Sequence, residues 1–168
     1  MRNLKQIISA HEPLFVETGF GAEECEAVWS IRREFSYALR DTGLTKLNED
    51  IVVPRGRLQD LFDFAGRLQK KHGFPVACFG HAGDGNIHTN VMVDFKAPGA
   101  RERSVKALDE LFRQVLAWGG AITGEHGIGM AKQRWWPLAV SREARELHRT
   151  IKAALDPRKI LNPGKFVG

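Results

Sequence analysis

The chain has 168 residues, 43% hydrophobic and 27% charged, the make-up of an ordinary soluble globular domain long enough to bury a core. No apolar run approaches the ~18 residues of a membrane span, and the amino-terminal stretch is too weakly apolar for a signal peptide, so the expected compartment is the cytoplasm. The formal net charge of +5 comes from 25 basic and 20 acidic residues interleaved along the chain, without the basic, aromatic-laced element of a nucleic-acid surface. Two cysteines, Cys25 and Cys78, are too few for a disulfide framework and read as reduced thiols.

In chain order, residues 1–20 carry a short amphipathic run (Leu4, Ile7, Ile8) that loses its period around Pro13 and Gly19, and read as a connector or incomplete element. Over residues 22–40, Val28, Ile31, Phe35 and Leu39 recur at spacings of three and four, which predicts a helix ended by Gly43. Another face of it carries Trp29, Arg32 and Ser36, and a guanidinium on a rigid element suits a carboxylate clamp. Residues 46–54 read as a loop leading into a short strand stopped by Pro54. Leu58, Leu61, Phe62, Ala65 and Leu68 form a second helical stripe, ending at Gly73.

Residues 75–79 and 87–93 read as strands joined by a tight glycine-rich loop. A third helix follows Pro98-Gly99, with Val105, Leu108, Leu111, Phe112, Val115 and Leu116 inward. Ala121-Ile122-Thr123 reads as a short strand, and Trp135-Trp136-Pro137 as packing. Ser141 opens a last helix with Ala144, Leu147, Ile151, Ala154 and Leu155 inward, before a turn-rich tail. Helix–strand pairs around a central hairpin predict an α+β fold, a ferredoxin-like antiparallel sheet with helices packed on one face.

The chemistry concentrates in Gly80-His81-Ala82-Gly83-Asp84-Gly85-Asn86-Ile87-His88 and in Gly124-Glu125-His126-Gly127-Ile128-Gly129. If the two strands pair, His81 and His88 face each other across the loop mouth at roughly 5 Å between Cα atoms. Period-two geometry puts His88 and Asn90 on one face and Ile87, Thr89, Val91 and Val93 on the apolar one. Two histidines are one ligand short of a catalytic zinc set, and Glu125 or His126 is the natural third. Adjacent residues of an extended segment point opposite ways, so one of these would ligate and the other stand beside it as a base. On residue types alone, an anion-binding glycine loop and a metal-dependent hydrolase are also open.

Trp29-Ser30-Ile31-Arg32-Arg33-Glu34, Glu49-Asp50-Ile51-Val52-Val53-Pro54, the two glycine-rich motifs above, and Leu155-Asp156-Pro157-Arg158-Lys159-Ile160-Leu161-Asn162-Pro163-Gly164-Lys165 occur in that order. Together they resemble the C-terminal substrate domain of FAD-linked oxidases of the vanillyl-alcohol-oxidase type. Within these the resemblance is to the D-2-hydroxyacid branch: D-lactate dehydrogenase, glycolate oxidase flavoprotein subunit and D-2-hydroxyglutarate dehydrogenase. It extends from about residue 20 to the end, making residues 21–168 the substrate- and metal-binding domain.

The resemblance implies that His81, His88 and Glu125 ligate a divalent metal (Zn, Mn, Fe or Co) and that His126 is the base taking the substrate hydroxyl proton. It further implies that Arg32 and Lys46 bind carboxylates of a small anionic 2-hydroxyacid, that Ser36 and Asn90 line the pocket, and that Asn162 lies near the flavin. FAD itself would be held mainly by a preceding domain, which nothing in the chain resembles and which is expected in cis or as a separate subunit. The chain alone is then expected not to turn over. The alternative expectation is a stand-alone metal- or carboxylate-binding module without oxidoreductase activity.

Overall fold

The computed structural model describes residues 2–16 and 18–165, with all their side chains but those of Arg2 and Ser36. The chain divides into two compact units, one ending at Gly43 and the other beginning at Leu44. The first unit holds α1 (Arg2–Ser9) and α2 (Gly21–Arg40). The short run of Leu4, Ile7 and Ile8 is thus a helix in its own right. The main-chain N–H of Phe20 donates to Glu24 at the start of α2, and Gly43, at a φ of 70°, turns the chain away after it.

The second unit contains β1 (Thr45–Val52), α3 (Leu58–His72), β2 (Val76–His81), β3 (Asn86–Val93), α4 (Ala100–Ala117), the short α5 (Trp136–Ala139) and α6 (Arg142–Leu155). The strands form one antiparallel sheet in the order β1-β3-β2. A fourth segment touches the free edge of β1 through a single antiparallel bridge between Val52 and Ala121. This is the ferredoxin-like order with its last strand reduced to one pair. Residues 46–49, expected as loop, are strand, because Lys46 to Glu49 pair in register with Met92 to Thr89. Residues 121–123 fall short of the expected strand, since the ladder stops at Ala121.

The core lies on one face of the sheet. Ile51, Ile87, Val91 and Val93 of the strands pack against Leu61 and Leu68 of α3 and Leu111, Phe112 and Val115 of α4. Helix α3 ends where Gly73 takes the left-handed conformation at φ 71°, behind a last turn of Lys70, Lys71 and His72 that suits the helix dipole. Trp135 is buried against Phe112, and its indole N–H donates to Asp109 at 2.6 Å. The β2–β3 hairpin is stitched to the end of β1 by the Val53 amide donating to the Gly85 carbonyl. Gly85 has a φ of +80°, and a Cβ there would meet the Val53 oxygen at 2.0 Å, so only glycine fits.

Helix α6 forms as expected, with the Ala144 amide donating to the Ser141 hydroxyl at its start. Its apolar stripe, however, is not inward. Leu147, Ile151 and Leu155 are 59%, 49% and 77% exposed, and no residue of α6 is buried. Phe62 of α3 is likewise exposed. Among the described residues no helix is long and apolar enough to cross a membrane.

This distribution separates the helices energetically. Leu111→Ala, at a fully buried position, is expected to cost about 3 kcal/mol by cavity formation. Ile151→Lys, on the exposed stripe, should change stability by less than about 0.5 kcal/mol. Urea unfolding followed by circular dichroism checks both.

Candidate metal centre

The site lies on the sheet face opposite the apolar core. Pairing places Lys46, Asn48 and Asp50 of β1 beside Met92, Asn90 and His88 of β3, so these side chains share one face. On the other side of His88 stands Phe79 of β2. His81 pairs with Asn86 rather than with His88. The two histidines are therefore diagonal neighbours on the same face and not directly opposed, with ring centroids 6.2 Å apart and edges meeting at 75°. The face was legible from the period of two; the register was displaced by two residues, His81 standing opposite Asn86.

His88 is the centre of the cluster. Its Nε2 lies 3.4 Å from Glu125 Oε1 and its Nδ1 4.0 Å from Asp50 Oδ1. The His126 ring stacks on it at 5.3 Å and 18°. Glu125 and His126 thus both reach His88, one at its edge and one on its face. They do so because the loop carrying them is curled, not extended.

The curl has a single cause. Oδ2 of the fully buried Asp50 accepts the consecutive amides of Gly124, Glu125 and His126 at 2.9, 2.8 and 2.8 Å, and the Thr123 hydroxyl at 3.2 Å. Oδ1 accepts the Asn86 side-chain amide at 2.6 Å, which also donates to the Ile51 carbonyl. Burial works to raise this carboxyl, but the Asn86 and loop hydrogen bonds outweigh it and hold the group well below its ordinary value of 3.8. Gly124 is required by this close approach, since a Cβ there would lie 2.3 Å from Asn86 Nδ2.

Among the described residues, two groups of potential metal-ligating side chains have ligand atoms within 4.8 Å of one another: His81, His88 and Glu125, and Asp50, His88 and His126. The first fits a divalent ion better. Donors about 2.0–2.1 Å from a tetrahedral ion are roughly 3.4 Å apart, the separation found between His88 and Glu125. Both oxygens of Asp50 are already engaged by amide donors, which makes it a poorer direct ligand than Glu125. His81 and Glu125 open onto a hollow of about 470 Å³, which also touches Asp84, Asn86 and Gly124.

The other residues singled out in the sequence are placed as follows. Asn90 is fully buried, its amide donating to the Ala77 and His88 carbonyls at 3.1 Å each, while its Oδ1 takes no hydrogen bond among the described residues. Lys46 lies on the site face of β1. Arg32 stands on α2 in the first unit, and Ser36 is on the same helix with its side chain outside the described ones. Asn162 adopts a left-handed φ of 48° in the tail. It lines a separate cavity of about 310 Å³ with Arg149, Lys152 and Lys159. Sequence reasoning missed Asp50, Asn86 and the buried pair Glu49–Lys132. A partial signal existed in two adjacent acids opening an apolar strand.

Fold and cluster together define a ferredoxin-like α+β domain with a histidine–carboxylate site on the open face of its sheet. Residues 3–166 match the family described as FAD linked oxidases, C-terminal domain, and the chain belongs to that family. Its relatives include the glycolate oxidase subunit GlcD of Bacillus subtilis (strain 168), 34% identical over 99% of this chain and 35% of the relative. The mitochondrial D-lactate dehydrogenase [cytochrome] of Arabidopsis thaliana is 32% identical over 87% of this chain and 27% of the relative. The mitochondrial D-2-hydroxyglutarate dehydrogenase of Danio rerio is 35% identical over 86% and 26%. These are relatives of the D-2-hydroxyacid branch that the motifs resemble. The chain spans about a third or less of their length.

Asp50→Ala would leave the loop amides without their acceptor, at a cost of about 3 kcal/mol or more. Because the folded carboxyl titrates below its ordinary value of 3.8, its stabilisation is complete above that value and is lost as pH falls through the lower, folded one. Chemical denaturation at pH 6 and pH 3 should therefore show a smaller acid loss in Asp50→Ala than in the parent chain.

Proposed function

We propose that this chain is the substrate- and metal-binding domain of an FAD-dependent dehydrogenase or oxidase of D-2-hydroxyacids, of the lactate, glycolate or 2-hydroxyglutarate class. The observation that supports it is the convergence of His81, His88 and Glu125, with His126 stacked on His88, in a chain of this family.

In this reading His81, His88 and Glu125 hold a divalent cation. When bound, such an ion would supply a Lewis acid to the substrate. His126 takes the hydroxyl proton at an imidazole nitrogen; its ring is held in place by the stack on His88 and by the hydrogen bond its main-chain N–H donates to the Asp50 carboxylate. As the proton leaves the oxygen, the Cα–H bond breaks and its electron pair departs as hydride, leaving the 2-oxoacid. Flavin, bound mainly by a region outside this chain, is the hydride acceptor. Lys46, on the same sheet face as His88, binds a carboxylate group and orients the anion. Asn90 contributes a polar contact, and Asn162 lies near the flavin.

Metal content measured by plasma mass spectrometry, on the chain loaded with Zn or Mn and desalted, should approach one ion per chain and fall to a trace in His81→Ala. A parent chain that retains no ion would remove the metal from the mechanism. With D-lactate, glycolate or D-2-hydroxyglutarate and an artificial electron acceptor, the chain alone should give no turnover, whereas an enzyme joining it to a flavin-binding region should. In that joined enzyme His126→Ala is expected to lower kcat by about 10²-fold or more.

A further inference from the structure

The described core holds one buried ammonium that the mechanism above does not use. Lys132 is 4% exposed, in the turn-rich segment that follows the 124–129 loop. Its Nζ donates to the main-chain carbonyls of Asp50 at 2.8 Å and Ile122 at 2.7 Å. It lies 5.7 Å from the centroid of the Phe112 ring and 3.8 Å from Glu49 Oε2, an oxygen that takes no hydrogen bond among the described residues. It therefore sits on the apolar side of the sheet, opposite the histidine cluster.

The two carbonyls it joins lie just where the pairing between β1 and the fourth segment stops. Val52 and Ala121 exchange both main-chain hydrogen bonds, and the Asp50 carbonyl, two residues away, faces the same edge of β1. A continuing fourth strand would have supplied its next donor. The chain instead turns off at Thr123, and the Lys132 ammonium bridges the gap between β1 and the last residue before the turn. An ammonium suits this junction, because it offers several donors and no acceptor to carbonyls shut away from water.

We propose that Lys132 is the positioning residue of the 124–126 loop: by tying Asp50 to Ile122 it fixes the carboxylate that gathers the loop amides, and so holds Glu125 and His126 against His88. Asp50 then acts twice, through its carbonyl towards Lys132 and through its carboxylate towards the loop. This inference rests on the metal-centre reading above for its binding readout.

The test compares the parent chain with Lys132→Met and with Glu49→Met/Lys132→Met, titrated with Zn²⁺ against a chromogenic chelator beside a thermal melt. Replacing both members of the buried pair by apolar side chains should raise the melting temperature above that of Lys132→Met, which leaves the Glu49 carboxyl buried beside a methionine. Zn²⁺ affinity should nonetheless stay about 10-fold or more weaker than in the parent, the scale of losing an outer-shell partner of a metal ligand. A double variant that binds Zn²⁺ as tightly as the parent overturns the proposal, since Lys132 would then serve stability alone.

Native-state hydrogen exchange on the parent chain needs neither variant nor metal. The amides of Gly124, Glu125 and His126 should open in one cooperative event with the amide of Lys132. Loop amides that exchange freely while that of Lys132 stays protected would also overturn it. A parent chain that binds no Zn²⁺ refutes the metal-centre reading, and the exchange result then decides the positioning role by itself.

Discussion

The site depends on one carboxylate. Asp50 is fully buried, a position that disfavours a charge unless donors surround it, and it has them from Thr123, Gly124, Glu125, His126 and Asn86. The loop it binds is neither helix nor strand and cannot satisfy its own amides. The shape of that loop is therefore dictated by a strand more than seventy residues earlier in the chain. Because three successive amides converge on one oxygen, the backbone curls there. That curvature is what allows adjacent side chains, Glu125 and His126, to reach the same imidazole.

The same interaction selects between the two groups of residues that could hold an ion. A carboxylate with both oxygens occupied by amide donors is a poor direct ligand, while the carboxylate of Glu125 is exposed and stands at ligand spacing from His88. His81, His88 and Glu125 are therefore the group better suited to an ion, while Asp50 holds the loop in place. His126 is stacked on the face of His88 and lies outside that group.

What the sequence revealed was what depends on local period. Alternation along β3 assigned His88 and Asn90 to the polar face, and the stripes of α3 and α4 marked the core side. The hairpin register was missed because it is set by a close approach: a Cβ on Gly80 would lie 2.3 Å from the Asn86 oxygen, a contact with no periodic signature. The stripe of Leu147, Ile151 and Leu155 correctly announced a helix, yet periodicity states only that a face is apolar and not what covers it. Asp50 and Lys132 were illegible for another reason. The partners their side chains hydrogen-bond lie between ten and eighty-two residues away, and an aspartate or lysine in a sequence reads as surface until its burial is known.

The sheet divides its labour by face. One side is an apolar core shared with α3 and α4; the other carries Asp50, Asn86, His88 and Asn90, all buried yet polar. Such a division lets packing energy come from one side while reactive groups occupy the other. It leaves open how this face is held rigid, since residues 124–126 of its loop contribute nothing to the described apolar core. The Glu49–Lys132 pair answers this from the core side. Burial pushes the Glu49 carboxyl up and the Lys132 ammonium down, Lys132 and Glu49 offsetting part of each shift, so the pair is a costly feature of the core. An apolar pair of similar size would pack there at least as well, but could not donate to the carbonyls of Asp50 and Ile122. The cost is intelligible as that of gripping, through the main chain, a loop whose side chains work on the opposite face.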